Sequence, residues 1–422
     1  MGIYVNPNHN DFREAVCKEI YVDKSMLIDK LYRFATSRNK YICISRPRRF
    51  GKSTDANMLS AYFSKGCDSH ILFNGLKISE TEMYEEHINK HNVIHLNIQN
   101  FLSKSNSIEN LIQLISLRVI RDLKKEFHNI DYFDDSNFSF SLQDIYEQTK
   151  QQFIFIIDEW DCIFREYKED ERSQRKYLDF LRDLLKDQSY VELCYMTGIL
   201  PIKKYGTHSD LNMFDEISMI EQRGYSNFMG FTQYEVQDLC KEYALDYTLM
   251  QEWYDGYKLE GGISVYSPRS VVAAIQDRKF SNYWSQTENY EALKTYIDLN
   301  FDGLKDTVVS LLTGQRKKVD TLSFQNDMTS FHSKDDVLTL LIHLGYLGYE
   351  NECVYIPNNE VKDTFITSIK NSNWDVVTRL FQQSNALLEA TWNMEADKVA
   401  QYIQDSHYET SILQYNDENA LS

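Results

Sequence analysis

A glycine, a lysine and a serine stand in succession at positions 51–53, between an apolar run and a helical stretch. The run at residues 41–44 (YICI) predicts a strand that ends in a loop, and residues 54–62 predict the helix that follows. A loop that joins a strand to a helix in this way can bind phosphate through backbone N–H groups at the helix N-terminus. In such a loop the lysine reaches the β- and γ-phosphates and the serine hydroxyl binds Mg²⁺. The spacing therefore predicts that Lys52 and Ser53 bind the phosphates and the metal of a nucleotide.

The surrounding loop is expected to contact the nucleotide as a unit. Its residues are Arg46, Pro47, Arg48, Arg49, Phe50, Gly51, Lys52, Ser53 and Thr54. Gly51 lets the backbone approach the phosphates without a side chain in the way. Arg46 departs from the general motif because it occupies the position of the first glycine. A bare Gly-Lys-Ser occurs often by chance, and the alternative is an ordinary basic loop that caps a helix.

Two adjacent carboxylates, Asp158 and Glu159, follow an apolar run at residues 153–157 (FIFII). An acidic pair that emerges from an apolar strand is costly unless it faces a cation or solvent. We expect Asp158 to hold Mg²⁺, usually through water, and Glu159 to polarise the attacking water as a general base. The alternative is a strand that simply ends in a solvated turn. Together the two motifs predict ATP and Mg²⁺ as ligands and ATP hydrolysis as the reaction.

A third strand end carries the hydroxyl of Thr197, after the run at residues 191–196 (VELCYM). Beside the acidic strand, this hydroxyl can contact the γ-phosphate or position water, and a plain strand-ending turn explains it equally well. The basic residues Arg48, Arg49, Lys203 and Lys204 are candidates for stabilising transition-state charge. A solvated surface is the better explanation for any single one of these four.

The elements that must position these residues alternate between strands and helices. A further strand is predicted at residues 92–98, and helical patterns occupy residues 107–127 and 173–186. Strands that are apolar on every side suit a central parallel sheet that is buried on both faces. The pattern therefore predicts an α/β fold of the P-loop NTPase type, with a doubly wound parallel sheet.

The strand–helix alternation stops near residue 221, and we predict three segments. Residues 1–225 are the P-loop ATPase domain. Residues 226–290 are a helical, winged-helix-like lid, because a glycine-rich turn at 260–262 separates helical pieces. Residues 291–422 are mostly helical, apart from a short strand pair near 346–356.

Composition limits the class of protein. The 422 residues carry a net charge of −18, which counts against non-specific coating of nucleic acid but leaves a local basic groove open. Seven cysteines are dispersed without a CxxC pair, as is typical of reduced thiols in a cytosolic protein. The N-terminus lacks the apolar core of a secretory signal, and no apolar run approaches the length of a membrane span. We therefore predict a cytoplasmic protein without a membrane partner.

Six short segments resemble the bacterial AAA-ATPase-like family of STAND-type P-loop ATPases. They are residues 21–25 (YVDKS), 45–53 (SRPRRFGKS), 156–161 (IIDEWD), 197–202 (TGILPI), 253–257 (WYDGY) and 265–268 (VYSP). In this family the loop lacks the first glycine, which accounts for Arg46. The resemblance implies an ATP-hydrolysing switch or motor that controls a protein partner or an effector domain.

Many members of that family carry a C-terminal nuclease-like domain of the PD-(D/E)XK type, whose chemistry needs a Glu-x-Lys on a strand. After residue 300 the only Glu-x-Lys is Glu360-Val361-Lys362, and it follows a helix-start signal at residues 357–359. We therefore predict the first turn of a helix there and no DNA cleavage. The resemblance implies that the nuclease-like domain would begin near Ser422, so that it is absent or truncated here.

Two other functions stay open from the sequence. One is a non-hydrolysing nucleotide-binding regulator, and Glu159 argues against it because a protein that only binds has no need of a base. The other is a DNA-binding module that acts through the winged-helix-like segment. The basic residues of that segment, Lys258, Arg269, Arg278 and Lys279, are sparse.

Overall fold

The computed structural model describes residues 2–37, 39–202, 204–205, 208–209, 211–284, 290–298, 301–326, 328–329, 331–370, 390–401 and 403–404. Within these residues the strands are β1 (Tyr41–Ser45), β2 (Asn92–Asn97), β3 (Phe153–Asp158), β4 (Val191–Gly198), β5 (Lys204–Tyr205), β6 (His208–Ser209), β7 (Asp215–Ile217), β8 (Phe231–Thr232), β9 (Tyr257–Leu259), β10 (Ile263–Tyr266), β11 (Lys317–Lys318), β12 (Gly348–Glu350) and β13 (Cys353–Tyr355).

The helices are numbered in the same way. They are α1 (Asn10–Val16), α2 (Met26–Ser37), α3 (Lys52–Phe63), α4 (His70–Phe73), α5 (Tyr84–His87), α6 (Ile98–Leu102), α7 (Ile108–Glu126), α8 (Phe138–Thr149), α9 (Cys162–Glu166), α10 (Glu171–Leu185), α11 (Gln233–Glu242), α12 (Tyr247–Tyr254), α13 (Pro268–Asp277), α14 (Tyr290–Asp298), α15 (Leu304–Leu312), α16 (Lys334–Leu344) and α17 (Asn359–Lys370). Short 3₁₀ turns occur at Lys77–Glu80, Glu260–Gly262 and Phe301–Gly303.

The strands between residues 41 and 217 include a central five-stranded sheet in the order β2-β3-β4-β1-β7. All four neighbouring pairs in it are parallel. The four strands predicted from apolar runs are confirmed as β1 to β4, and β3 is buried at every residue. Because parallel strands end at the same edge, the register sets Asn97 opposite Asp158, Asp158 opposite Thr197, and Ser45 opposite Gly198.

Helices cover both faces of this sheet, as the run of apolar residues predicts. Alternate residues of each strand point to opposite faces. Ile42, Ile44, Ile154 and Ile156 pack with α2 and α3 on one face, and Cys43, Phe153, Phe155 and Ile157 pack with α7, α8 and α10 on the other. The predicted helices at 54–62, 107–127 and 173–186 are confirmed as α3, α7 and α10. The P-loop α/β fold class is therefore confirmed.

Downstream of the sheet, α11, α12 and α13 pack with a small antiparallel sheet in the order β8-β10-β9. The glycine-rich turn lies between β9 and β10, where Gly261 and Gly262 have φ values of 78° and 73°. Left-handed backbone of this kind favours glycine. The hairpin lies in the segment for which the sequence predicts a winged-helix-like lid, and that assignment stays a prediction.

The last described segment combines α14 to α17 with a three-stranded sheet in the order β11-β13-β12. The predicted strand pair is confirmed as β12 and β13, whereas β11 was not predicted. Glu360 lies in the first turn of α17, so the prediction of a helix at Glu360-Val361-Lys362 is confirmed. Among the described residues, no helix combines the length and apolar character that a bilayer-spanning helix needs.

One hydrophobic core runs through all three predicted segments. It includes Phe155 of β3, Tyr257 of β9 and Leu341 of α16, together with Trp284, which precedes α14. Each of these residues is at most 1% exposed. The boundaries near residues 225 and 290 stay predictions, because the packing is continuous across them.

Candidate functional site

Two strand ends and one helix start meet at the carboxylate of Asp158. Its Oδ2 accepts hydrogen bonds from Ser53 Oγ at 2.7 Å and from Asn97 Nδ2 at 3.1 Å. Ser53 belongs to the first turn of α3, Asp158 ends β3, and Asn97 ends β2. The expected approach of the serine hydroxyl and the acidic strand end is therefore present, although the two residues are 105 positions apart.

The loop before α3 holds Lys52 close to its own backbone. Lys52 Nζ donates to the carbonyl oxygen of Arg46 at 3.0 Å and of Pro47 at 2.9 Å. Arg49 and Gly51 both have left-handed backbone, with φ values of 71° and 91°. Alternation between left-handed and right-handed residues turns successive N–H groups toward one side, which makes an anion-binding concavity at the start of a helix.

A cavity of about 870 Å³ opens in front of this loop. The predicted loop residues Arg48, Arg49, Phe50, Gly51, Lys52, Ser53 and Thr54 line it, as does Glu159. The opposite walls come from an N-terminal segment, residues 20–24, and from residues 228–231 and 268–272. A cleft between elements of a fold is the usual location of a nucleotide site.

The cavity is basic although the chain is acidic. Seven cationic residues line its described part, Lys18, Lys24, Arg48, Arg49, Lys52, Arg165 and Arg269, against the three acidic residues Asp55, Glu159 and Glu166. The chain as a whole carries a net charge of −18. A cleft that concentrates one sign of charge attracts the opposite sign, and here that favours a polyanion such as a triphosphate.

Two loop side chains point away from the cavity, contrary to the expectation for the whole loop. Arg46 is fully buried and donates to the Ser45 carbonyl at 2.9 Å and to Gln222 Oε1. Burial lowers the pKa of Arg46 to about 10. This value is still well above neutral pH, so the guanidinium remains charged there. Pro47 packs against Gly345, where an added Cβ would lie 2.8 Å from the proline Cβ. Arg46 and Pro47 reach the site only through carbonyl oxygens that accept from Lys52.

The loop is also supported from behind. The N–H of Gly230 donates to the carbonyl of Phe50 at 2.9 Å. The Phe50 ring meets the Tyr257 ring edge to face, with centroids 5.4 Å apart. The Tyr257 hydroxyl in turn donates to the carbonyl of Gly345 at 2.6 Å. Residues far downstream in the chain therefore fix the position of the loop.

Burial acts on the charged groups beside the loop. It lowers the pKa of Lys52, and the carboxylates of Glu159, Asp161 and Asp158 oppose that shift. Burial likewise raises the pKa of Asp158, opposed by the Ser53 hydrogen bond and the charge of Lys52. Each ion is costly in isolation, and the opposite charges offset one another.

Glu159 combines an unusual backbone with an ion pair. Its φ of 54° lies in the left-handed region, which a non-glycine residue adopts at a cost that is common in functional sites. Its carboxylate accepts from Arg165 Nη2. Burial raises the pKa of Glu159, and the Arg165 charge opposes that rise. Arg165 Nε also lies 3.3 Å from Asp161 Oδ2.

Thr197 lies outside the cavity lining. Its side chain is fully buried, and its Oγ1 donates to the carbonyl of Ile44 at 3.0 Å. The hydroxyl thus links β4 to β1, and Thr197 is not among the residues that line the cavity, whereas a contact with the γ-phosphate was expected. Of the other basic candidates, Lys203 and the side chain of Lys204 lie outside the described residues.

Sequence reasoning missed several residues of the site. Asn97 could have been found, because it is the polar end of a predicted strand beside the acidic one. Arg165 and Asp55 give no such signal, since one follows in a short helix and the other follows the loop motif in α3. Arg269 reaches the cavity from α13, more than 200 positions after the loop.

The residues present fit a magnesium ion that accompanies a nucleotide. Among the described residues no group of three or more His, Cys, Asp or Glu side chains forms a metal site. Mg²⁺ in nucleotide sites usually keeps several waters and takes one or two protein oxygens together with phosphate oxygens. The Ser53 hydroxyl and the Asp158 carboxylate, 2.7 Å apart, supply that pair of oxygens.

Comparison with solved structures finds chains of low similarity, one of which is described as a Walker-type ATPase. The Walker-type ATPase PABY2304 of Pyrococcus abyssi is 13% identical, with a TM-score of 0.42 over 82% of this chain and 96% of that chain. The ORC2 protein of Aeropyrum pernix, solved in ADPNP–ADP complexes, is 10% identical, with a TM-score of 0.32 over 84% and 97% of the two chains. PCH-2 of C. elegans is 11% identical, with a TM-score of 0.25 over 58% and 48%.

Comparison of sequences gives one curated relative and one family. The relative is an uncharacterized protein in the vnfD 5′ region of Azotobacter chroococcum mcd 1, 25% identical over 274 residues, or 63% of this chain. This chain spans about half the length of that relative, 50%. Residues 8–207 match the family described as AAA-ATPase-like, predicted AAA-ATPase, and this segment holds the phosphate loop and the acidic strand end. This segment of the chain is therefore similar to the AAA-ATPase-like family.

Proposed function

We propose that the protein binds Mg·ATP in the basic cavity and hydrolyses it. The hydrogen bond between Ser53 and Asp158 carries the proposal, because it joins the phosphate loop to the acidic strand end within 2.7 Å. Lys52 lies beside both, with Asp158 among the charges that act on it. A lysine, a hydroxyl and a carboxylate so arranged are what a metal-bound triphosphate requires.

The phosphates bind at the start of α3. Backbone N–H groups of residues 49–53 donate to phosphate oxygens, and Lys52 exchanges its two carbonyl acceptors for oxygens of the β- and γ-phosphates. Ser53 and Asp158 hold the magnesium ion, which neutralises charge on the phosphates. Arg48 and Arg49, on the cavity wall, add positive charge.

Glu159 serves as the general base. Its carboxylate lines the cavity next to Asp158, and burial raises its pKa. A raised pKa brings a carboxylate closer to the proton affinity that a base needs at neutral pH. The water that Glu159 polarises attacks the γ-phosphorus, the bond to the bridging oxygen breaks, and ADP and phosphate leave.

The nucleotide base fits between the N-terminal segment and the downstream walls. Ile20 and Val22 line one side of the cavity, and Phe228, Phe231 and Val272 line the other. Apolar side chains on two sides suit an aromatic base. The site therefore has separate places for the base and for the triphosphate.

ATP then acts as a switch of the STAND type. Gly230 donates to the loop carbonyl of Phe50, and Lys24 pairs with Glu235 at 2.6 Å. Both contacts connect the nucleotide site to the segment after residue 225. A change in phosphate occupancy can therefore shift that segment and, through it, a protein effector or an appended nuclease-like domain. The seven free cysteines support a reducing, cytoplasmic location.

Phosphate release by the full chain tests hydrolysis. Glu159→Gln is expected to keep the Mg·ATP affinity within about threefold and to lower turnover by about 10²–10⁴-fold, the usual contribution of a general base. Glu171→Gln, at the exposed start of α10, is the matched control. If Glu159→Gln hydrolyses ATP at the rate of the unmodified protein, another group is the base.

A further inference from the structure

Arg165 is a buried cation at the cavity wall. It lies in the short helix α9, and its side chain is 8% exposed. Its guanidinium contacts two carboxylates, donating from Nη2 to Glu159 and placing Nε 3.3 Å from Asp161. A guanidinium has five donors in a planar fork, so it can keep one partner while it changes another.

The two carboxylate partners are held differently. Asp161 is fully buried and accepts from the N–H groups of Ile199 at 3.1 Å and Leu200 at 2.9 Å. An added Cβ at Gly198 would lie 2.5 Å from Asp161 Oδ1, so this carboxylate is tightly enclosed. Glu159 is 22% exposed in its side chain and faces the cavity. Asp161 is therefore a fixed anchor for Arg165, and Glu159 is a replaceable partner.

The pair with Arg165 opposes the role of Glu159 as a base. Arg165 Nη2 donates to a carboxylate oxygen of Glu159, so the guanidinium occupies an oxygen that a base must offer to water. Turnover therefore requires this pair to loosen. A terminal phosphate carries more negative charge than a carboxylate and binds a guanidinium with two parallel hydrogen bonds, so it competes for the same donors.

We propose that Arg165 exchanges Glu159 for the terminal phosphate of ATP while Asp161 holds it in place. The exchange frees Glu159 to act as the base and places positive charge on the phosphoryl group that is transferred. ADP lacks that group, so the Arg165–Glu159 pair persists in its presence. Arg165 is thus both a catalytic residue and the residue that distinguishes ATP from ADP. This inference rests on the proposed ATP site.

Two variants and a control test the exchange in the full chain. Arg165→Ala removes the guanidinium, and Arg165→Lys keeps a buried cation beside Asp161 without the fork. Arg182→Ala is the control, because Arg182 pairs with Asp179 at 2.6 Å on the surface of α10. The affinities for Mg·ATP and Mg·ADP are measured by titration, and kcat and KM by phosphate release.

For Arg165→Ala we expect kcat to fall at least about 10²-fold, since an arginine on the transferred phosphoryl group contributes about 10³-fold or more in related chemistry. The affinity for ATP should fall about tenfold or more, while that for ADP changes less than about threefold. Arg165→Lys should recover part of the affinity for ATP and little of kcat, because a point charge cannot bind two oxygens in parallel.

Three results would overturn the inference. They are an unchanged kcat in Arg165→Ala, a kcat above that of the unmodified protein, and equal losses of ATP and ADP affinity. The second would mean that Arg165 only restrains Glu159. Failure of the proposed function looks different. A protein that binds ATP without hydrolysing it, but loses its preference for ATP in Arg165→Ala, would refute hydrolysis and retain the exchange.

Discussion

Replacing Lys52 by alanine should greatly weaken nucleotide binding while it leaves the free energy of unfolding nearly unchanged. Lys52 Nζ donates to two backbone carbonyls, of Arg46 at 3.0 Å and of Pro47 at 2.9 Å. These bonds hold the lysine across its own loop, in front of the start of α3. When phosphate binds, the same donors turn to phosphate oxygens.

The expected loss of affinity follows from this exchange. Hydrogen bonds that involve a charged group contribute about 1.5–3 kcal/mol each, and bonds between two ions are roughly twice as strong as neutral ones. Because the two bonds to carbonyls are lost in the exchange, the net gain comes mainly from the attraction between the ammonium and phosphate charges, about 3–4 kcal/mol at the effective dielectric constant of a partly buried site. Lys52→Ala should therefore weaken Mg·ATP binding by about 10²–10³-fold.

Folding should change much less. Lys52 is 5% exposed, and burial of its ammonium group is costly, which also lowers its pKa. Its removal loses two hydrogen bonds but relieves that cost, so the two effects largely offset each other. We expect the free energy of unfolding to change by less than about 1.5 kcal/mol.

Isothermal titration calorimetry with Mg·ATP measures the affinity, and unfolding by denaturant measures the stability. Lys65→Ala is the matched control, because Lys65 follows the far end of α3 and lies 3.7 Å from Glu126. The control should bind Mg·ATP as the unmodified protein does. An undiminished affinity in Lys52→Ala would refute the assignment of the loop to phosphate.

Two further predictions concern stability. Burial raises the pKa of Glu360 from 4.5 to about 7. Between these values the folded protein keeps a proton that the unfolded chain has released, so the free energy of unfolding should fall by about 3 kcal/mol as pH rises through this window. Glu360→Gln should remove that slope from thermal midpoints recorded at pH 5–8, and an unchanged slope would assign it to other groups. Gly256 has a φ of 115°, and a Cβ there would lie 2.0 Å from the Pro357 carbonyl oxygen. Gly256→Ala should therefore destabilise the fold by at least about 2 kcal/mol, against about 1 kcal/mol for Gly261→Ala, where the nearest atom is 3.9 Å away; equal losses in denaturant unfolding would contradict the clash.

The central sheet could be predicted because its strands are apolar at nearly every position. A strand that is buried on both faces is a continuous run of apolar residues, which can be recognised without knowledge of its neighbouring strands, as in β3. The short edge strand β7 (Asp215–Ile217) has two acidic residues among three, and β11 consists of Lys317–Lys318. Their pairing depends on the backbone of a neighbouring strand, which local sequence does not reveal.

The residues of the site that could be predicted are those that adjoin a strand or loop recognisable from the local sequence. Ser53 and Asp158 each follow a recognisable strand or loop, and the sheet register brings them together. The orientation of Arg46 was not predictable, because its guanidinium contacts Gln222, 176 positions away. Likewise Thr197 ends the expected strand, but its hydroxyl bonds to the neighbouring strand β1. Spacing gives the place of a residue, whereas the direction of its side chain depends on distant contacts.

The support behind the phosphate loop has a practical consequence. Gly230, Tyr257 and Gly345 hold Phe50 and Pro47 in place, and all three lie beyond the segment that matches the family. A recombinant fragment cut to residues 8–207 would keep the phosphate loop and the acidic strand end but lose the residues that support the loop from behind. The segment that matches the family is therefore shorter than the segment needed to hold the loop in place. Kinetic measurements on such a fragment would report on a loop without its support.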